Sequence, residues 1–177
     1  VRESIKDLDI PIVFDPVFVS KAGAKLLSDD AILNMKSLLP YVTVVTPNLF
    51  EANKLFGYEF GNSDSLKEIF ELSCGVVIKN HIHEINTHQR SIDTLYLGRE
   101  KFIFDTPYLE TSSTHGSGCS FSSSIAANLA LGKTLQESIQ IAKKFIYLAI
   151  KNAPDIGHGK SPIAHKIGGE ICLMEKN

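Results

Sequence analysis

Three short apolar, β-rich runs recur along the first half of the chain, at Ile10 to Phe14, Val42 to Thr46 and Gly75 to Lys79, with helical periodicity between them. Two strands separated by a helix can share a sheet only in parallel, through a crossover. The pattern therefore predicts an α/β fold with a largely parallel sheet covered on both faces. Ser28 can cap a helix with Asp29 and Asp30 in its first turn and a stripe of Ile32, Leu33, Met35, Leu38 and Leu39. A short helix from Asn48 to Phe56 ends at Gly57, and Ser63 to Leu72 reads as another. Asp93 to Leu97 and Lys101 to Asp105 alternate around Gly98-Arg99-Glu100, the mark of a hairpin edge. The polar, histidine-bearing stretch from Asn80 to Ser91 reads as a mobile loop.

Beyond that hairpin the pattern turns helical. One helix, Phe121 to Leu131, follows Gly116-Ser117-Gly118-Cys119. The next opens on a capping box, Thr134-Leu135-Gln136-Glu137, sets Ile139, Ala142, Ile146, Ala149 and Ile150 on one face, and ends at Pro154. The tail carries a second glycine-rich loop, Gly157-His158-Gly159. There is no internal repeat.

At 177 residues the chain suits a single domain, 1–177, with a sizeable core. A net charge of −2 argues against a nucleic-acid footprint, and Lys143-Lys144 reads as a solvated helix face. The apolar runs are too short to span a bilayer. Cys74, Cys119 and Cys172 are odd in number and widely spaced, which suits a reducing cytoplasm better than a disulfide framework or a zinc site. The chain begins at Val1 and enters a strand almost at once, as a piece of a longer protein would.

In parallel sheets ligands gather at the carboxyl ends of strands, where Asp15, Asn48 and Lys79 fall. Each has two readings. Asp15-Pro16-Val17 is a turn or a metal-facing carboxylate beside an apolar wall. Asn48 and Glu51 form a capping box, or order Mg²⁺-bound water beside triphosphate oxygens. Lys79 is a surface lysine or a phosphate counter-charge. His81, His83 and His88 lack a spacing that would aim them together, so they read as solvated loop histidines. Gly116 to Cys119 is a tight turn, or an anion site where free N–H groups and the helix dipole meet a ligand. The loop matches neither the Walker pattern nor the nucleophile elbow. Cys119 is a packing cysteine, or a thiol whose ionisation the helix start favours relative to the usual pKa of about 8.5.

Together, Asp15-Pro16-Val17, Lys21-Ala22-Gly23, Thr46-Pro47-Asn48-Leu49-Phe50-Glu51-Ala52 and Thr114-His115-Gly116-Ser117-Gly118-Cys119-Ser120-Phe121-Ser122 resemble one family. It is the hydroxymethylpyrimidine/phosphomethylpyrimidine kinases of thiamine biosynthesis, within the ribokinase-like superfamily. Gly157-His158-Gly159 and Pro162 resemble its C-terminal loop, and the likeness runs from about Ile10 to His165. The resemblance implies a three-layer α/β/α fold and phosphorylation of a pyrimidine alcohol, then of its monophosphate, with ATP and Mg²⁺. It implies that Gly116, Ser117, Gly118 and Cys119 form the anion hole for the transferring phosphoryl group. Lys79, Asn48, Glu51 and Thr114 would serve ATP, Asp15 and Glu51 the metal, and Val17 and Cys119 the pyrimidine. The family is often dimeric.

Two departures bear on these expectations. Asn80-His81 follows Lys79 where the family has glycines and a histidine. The family's N-terminal segment, with its first strands and most of the pyrimidine pocket, has no counterpart here. Competing readings are a pyridoxal kinase, a catalytically inactive remnant and a cysteine hydrolase. Where the superfamily usually has Asp, Cys119 is neutral, so it is expected to tolerate an acceptor that already carries a phosphate.

Overall fold

A computed structural model describes residues 1–18, 28–59, 62–85, 87–156, 159 and 161–174. Lys21-Ala22-Gly23, Gly157-His158 and the side chains of Leu33 and Asn80 lie outside the described residues. The chain divides into two compact units. The first comprises Val1–His81 and Asp93–Ile103, the second Ile82–Ile92 and Phe104–Asn177.

A five-stranded sheet runs in the order β1 (Val13–Phe14), β2 (Val44–Val45), β3 (Gly75–Ile85), β4 (His88–Leu97), β5 (Glu100–Pro107). β1 pairs with β2 and β2 with β3 in parallel, with Val13 opposite Val44 and Val45 opposite Val76. The two-residue links from β3 to β4 and from β4 to β5 admit only antiparallel neighbours, so the sheet is mixed. Gly98 opens the second link at φ +57°, in the left-handed region that glycine enters without strain.

In the first unit, α1 (Arg2–Ile5) precedes the first strand, where the sequence suggested immediate entry into a strand. Its single turn is tied by Glu3, which is paired with both Arg2 and Lys6. α2 (Asp29–Lys36) starts at Ser28, whose hydroxyl accepts from the N–H of Ala31. α3 (Leu49–Phe56) stops at Gly57, which is left-handed at φ +63°. The expected helix from Ser63 to Leu72 is instead a 3₁₀ turn, Ser63–Leu66, followed by α4 (Lys67–Phe70). The core joins Ile32, Leu39, Val45, Ala52, Leu55, Ile69, Val76 and Ile78. Val44 and Val77, pointing to the opposite face, are also fully buried, which explains the unbroken apolar runs.

The second unit rests on three helices, α5 (Ser117–Ala130), α6 (Leu135–Lys151) and α7 (His165–Met174), with α6 packed against both others. The capping box at Thr134 and Glu137 is present with both of its hydrogen bonds. Phe121, Ile125, Ile139, Ala142 and Ala149 are buried. A Cβ on Gly168 would stand 2.7 Å from Ala149 Cβ and 2.8 Å from its backbone, so α7 sits as close to α6 as a missing side chain permits.

Three further expectations fail. Asn80 to Ser91 is not a loop, because β3 runs on to Ile85 and β4 begins at His88. Nor are its histidines uniformly solvated. His81 is buried on β3, edge-on to Tyr58 at 6.2 Å between ring centroids. Lys143 is buried too, with its ammonium donating to Ser91 Oγ at 3.1 Å, so that stretch of α6 is not a solvated face.

Candidate functional site

The first unit gathers its polar groups where β1 and β2 end. Chain direction sets this: parallel neighbours in register finish together, and the residues that follow emerge side by side. Asp15 follows β1, and Thr46 follows β2 with its N–H on the carbonyl of Phe14 at 2.9 Å. Lys79, expected at a strand end, stands inside β3. There it bridges Asn48, and its N–H donates to the carbonyl of Pro47 at 2.9 Å. The strand thus continues past the residue where its pairing with the β2 side stops.

The Lys79 ammonium donates to Asp15 Oδ1 at 2.8 Å, with the two side chains only 12% and 17% exposed. Thr46 Oγ1, fully buried, donates to the same oxygen at 3.3 Å. Next to this pair Asn48 caps α3. Its carbonyl oxygen accepts from the N–H of Glu51 at 2.9 Å, while a Glu51 oxygen accepts from the N–H of Asn48 at 2.8 Å. Burial of Glu51 pushes its carboxyl above the ordinary value. Hydrogen bonds from Asn48 and Phe18 and the charge of Lys79 oppose that shift, while Asp15 adds to it. Val17 is partly exposed, and its N–H donates to the backbone carbonyl of Asp15 at 3.0 Å.

This cluster can receive a phosphate. An ammonium has three donors, and Asp15 engages one of those of Lys79. Among the described residues no three acidic, histidine or cysteine groups form a metal cage. Two neighbouring carboxylates, Asp15 and Glu51, nevertheless suit Mg²⁺, which keeps much of its water and takes one or two carboxylates beside phosphate oxygens.

In the second unit the candidate groups are backbone groups at the start of α5. Gly116 is the N-cap of α5 at φ +86°, a conformation strained for any residue with a Cβ. No side chain caps the helix and its first turn has no acidic residue. Ser117 N–H donates to the carbonyl of Thr114 at 3.3 Å, and Ser120 N–H to that of Gly116 at 3.0 Å. Gly118 and Cys119 carry first-turn N–H groups that an α-helix leaves without intrahelical partners. The loop is held by the C-terminal segment. His115 N–H donates to the carbonyl of Ser161 at 3.1 Å, and Ile163 N–H to that of His115 at 3.2 Å. Cys119 is exposed and lines an open cavity of about 340 Å³ with Ser120, Ser123, Ser124, Phe145 and His165.

Asp15, Val17, Asn48, Glu51 and Lys79 thus come together in the first unit, whereas Thr114 and Gly116 to Cys119 belong to the second. Sequence reasoning gave no role to Thr46, Ser120 or His165. Thr46 closes the second apolar run and could have been noticed as a hydroxyl at the end of the strand next to that of Asp15. Ser120 and His165 are paired only by the fold.

The phosphomethylpyrimidine kinase family model matches residues 1–164. The chain is 36% identical to the hydroxymethylpyrimidine/phosphomethylpyrimidine kinase of Staphylococcus aureus strain MSSA476 over 164 residues, which are 88% of this chain and 58% of that one. It is 35% identical to the thiamine biosynthesis bifunctional protein ThiED of Geobacter sulfurreducens, covering 90% of this chain and 33% of the other. Its fold resembles the structure of Staphylococcus aureus pyridoxal kinase in complex with AMP-PCP and pyridoxal. That match has a TM-score of 0.75 and 33% identity, and covers 91% of this chain and 59% of that one. The chain therefore spans less than two thirds of the length of such relatives.

Proposed function

This chain belongs to the phosphomethylpyrimidine kinase family, with its ribokinase-like α/β fold, and we propose that its activity is ATP- and Mg²⁺-dependent phosphorylation of 4-amino-5-hydroxymethyl-2-methylpyrimidine and then of the monophosphate, for thiamine diphosphate synthesis. The observation that carries this reading is the Lys79–Asp15 pair beside the Asn48–Glu51 cap, a cation and two carboxylates gathered where β1 and β2 end. Phosphoryl transfer asks for alignment and charge neutralisation rather than covalent chemistry. Lys79, Asn48 and Thr114 bind the ATP phosphates. The N–H groups of Gly116 to Cys119 receive the charge that develops on the transferring group. Asp15 and Glu51 would hold Mg²⁺ largely through its water, and the bound ion supplies charge neutralisation of the phosphates. Val17 borders the pyrimidine. We place the protein in the cytoplasm, as a homodimer.

Cys119 acts here as a neutral gate. An Asp at that position would repel an acceptor that is already phosphorylated, whereas a thiol does not. Cys119→Asp should therefore lose more activity on the monophosphate than on the alcohol, and equal losses on both would sink the idea.

Pyridoxal phosphorylation is the second reading, favoured by the likeness to pyridoxal kinase structures. Transfer of labelled phosphate from ATP to the pyrimidine alcohol, its monophosphate and pyridoxal, with and without Mg²⁺, separates the two. A higher kcat/KM on the pyrimidines supports the proposal. A preference for pyridoxal supports the second reading, and no transfer to any acceptor removes both.

A further inference from the structure

Taking the anion-binding role of Gly116 to Cys119 from the proposed function, we infer that His165 is the positioning residue for that turn. Ser120 Oγ and His165 Nε2 share a hydrogen bond of 2.8 Å that joins the first turn of α5 to the first residue of α7. The same imidazole faces Gly116 across about the width of a methyl group: a Cβ built there would meet His165 Cε1 and Nε2 in ordinary van der Waals contact, both at 3.6 Å. One ring therefore holds Ser120 and lies beside the left-handed N-cap four positions before it.

The brace has a fixed mounting. His165 N–H donates to the carbonyl of Ile163 at 3.1 Å, and Ala164 N–H donates to the carbonyl of Ala149 on α6 at 2.9 Å. Three residues beyond His165, Gly168 is seated against the Ala149 backbone. The backbone that carries His165 is thus anchored to α6, a long helix with its own capping box, while the ring bonds to the first turn of a helix with no side-chain cap of its own.

A helix start that binds an anion through backbone N–H groups needs those groups aimed before the ligand arrives. Side-chain caps, the usual means of fixing a first turn, are absent at Gly116. His165 supplies that rigidity from outside the helix, through its hydrogen bond with Ser120.

The test uses the full chain and the variants His165→Ala, His165→Gln, Ser120→Ala and the double variant His165→Ala with Ser120→Ala. Hydrogen exchange of a peptide spanning 114–121 should accelerate at least threefold in His165→Ala, with the interior of α6 unchanged. Steady-state phosphoryl transfer should show kcat reduced about tenfold, with acceptor KM changed less than threefold. Gln can both donate and accept at about the reach of Nε2, so His165→Gln should recover most of both losses. The double variant should be no worse than His165→Ala. The inference is overturned if exchange of 114–121 is unchanged, if His165→Gln is as impaired as His165→Ala, or if the single effects simply multiply. Failure of the functional reading looks different, because the unmutated protein would then transfer no phosphate while the exchange result still reports on the brace.

Discussion

The two candidate sites, one in each unit, handle charge in opposite ways. Around Lys79 the chemistry is in side chains, and the charges are paired before any ligand arrives: ammonium on Asp15, Glu51 folded back on the N–H of Asn48. Around Gly116 the chemistry is in the backbone, no side chain caps the helix, and its first turn holds no acidic residue. The first arrangement can be removed one side chain at a time. The second can be disturbed only through conformation, by a Cβ on a left-handed backbone or by loss of whatever steadies the turn.

Lys79→Ala should break the side-chain half most sharply. It removes the cation and strands Asp15, largely buried, without its charge partner. By analogy with loss of one transition-state donor, kcat should fall by about 10² to 10³, measured by phosphate transfer from ATP. Gly116→Ala tests the backbone half. The left-handed N-cap should cost about 1–2 kcal/mol, read by urea unfolding, and kcat should fall although no functional group is lost. If Gly116→Ala left both stability and kcat unchanged, the claim that backbone conformation makes this site would be wrong.

Gly168→Ala asks whether the support behind the turn matters. Overpacking against Ala149 should cost about 1–3 kcal/mol in the same unfolding measurement, with a smaller change in turnover than Gly116→Ala. The smallest effect concerns pH. Burial raises the Glu51 carboxyl above its unfolded value of 4.5, so the native state holds that proton more tightly. Its contribution to stability is then fully present below the unfolded pKa and is lost as pH rises through the folded one. Glu51→Gln keeps an acceptor for Asn48 and abolishes the titration. The melting temperature of the variant should therefore gain on that of the unmutated protein as pH rises from 4 towards 7. A difference independent of pH would contradict this assignment.

What could be read in advance follows the same division. β2 and the start of β3 were legible because both faces are buried and their residues are apolar without interruption. The α3 and α6 boundaries were legible because capping boxes are local signals. The rest of β3 was not, since Ile82 and Ile85 are about half exposed while His81 is buried, which reverses the usual pattern. α7 escaped notice because Gly168-Gly169 interrupts its helical propensity. Those glycines stand where α7 meets α6, and Gly168 marks the close approach. The motif residues at Asp15, Asn48, Glu51 and Lys79 could be named, but the ion pair between Asp15 and Lys79 joins positions 64 apart and no local pattern encodes it. The brace from His165 to Ser120 spans 45 and was equally hidden.

The crossing at Gly168 has an evolutionary consequence. Of the three atoms that a new methyl would strike, two are the N and Cα of Ala149, which every amino acid possesses. No replacement at position 149 can therefore make room, and the usual escape by a compensating second substitution is closed. Lineages carrying this crossing should drift freely at the exposed Lys166 and Leu173 yet remain fixed at 168, whatever residue stands opposite. The spacing between the two helices is heritable information stored in an atom that is not there.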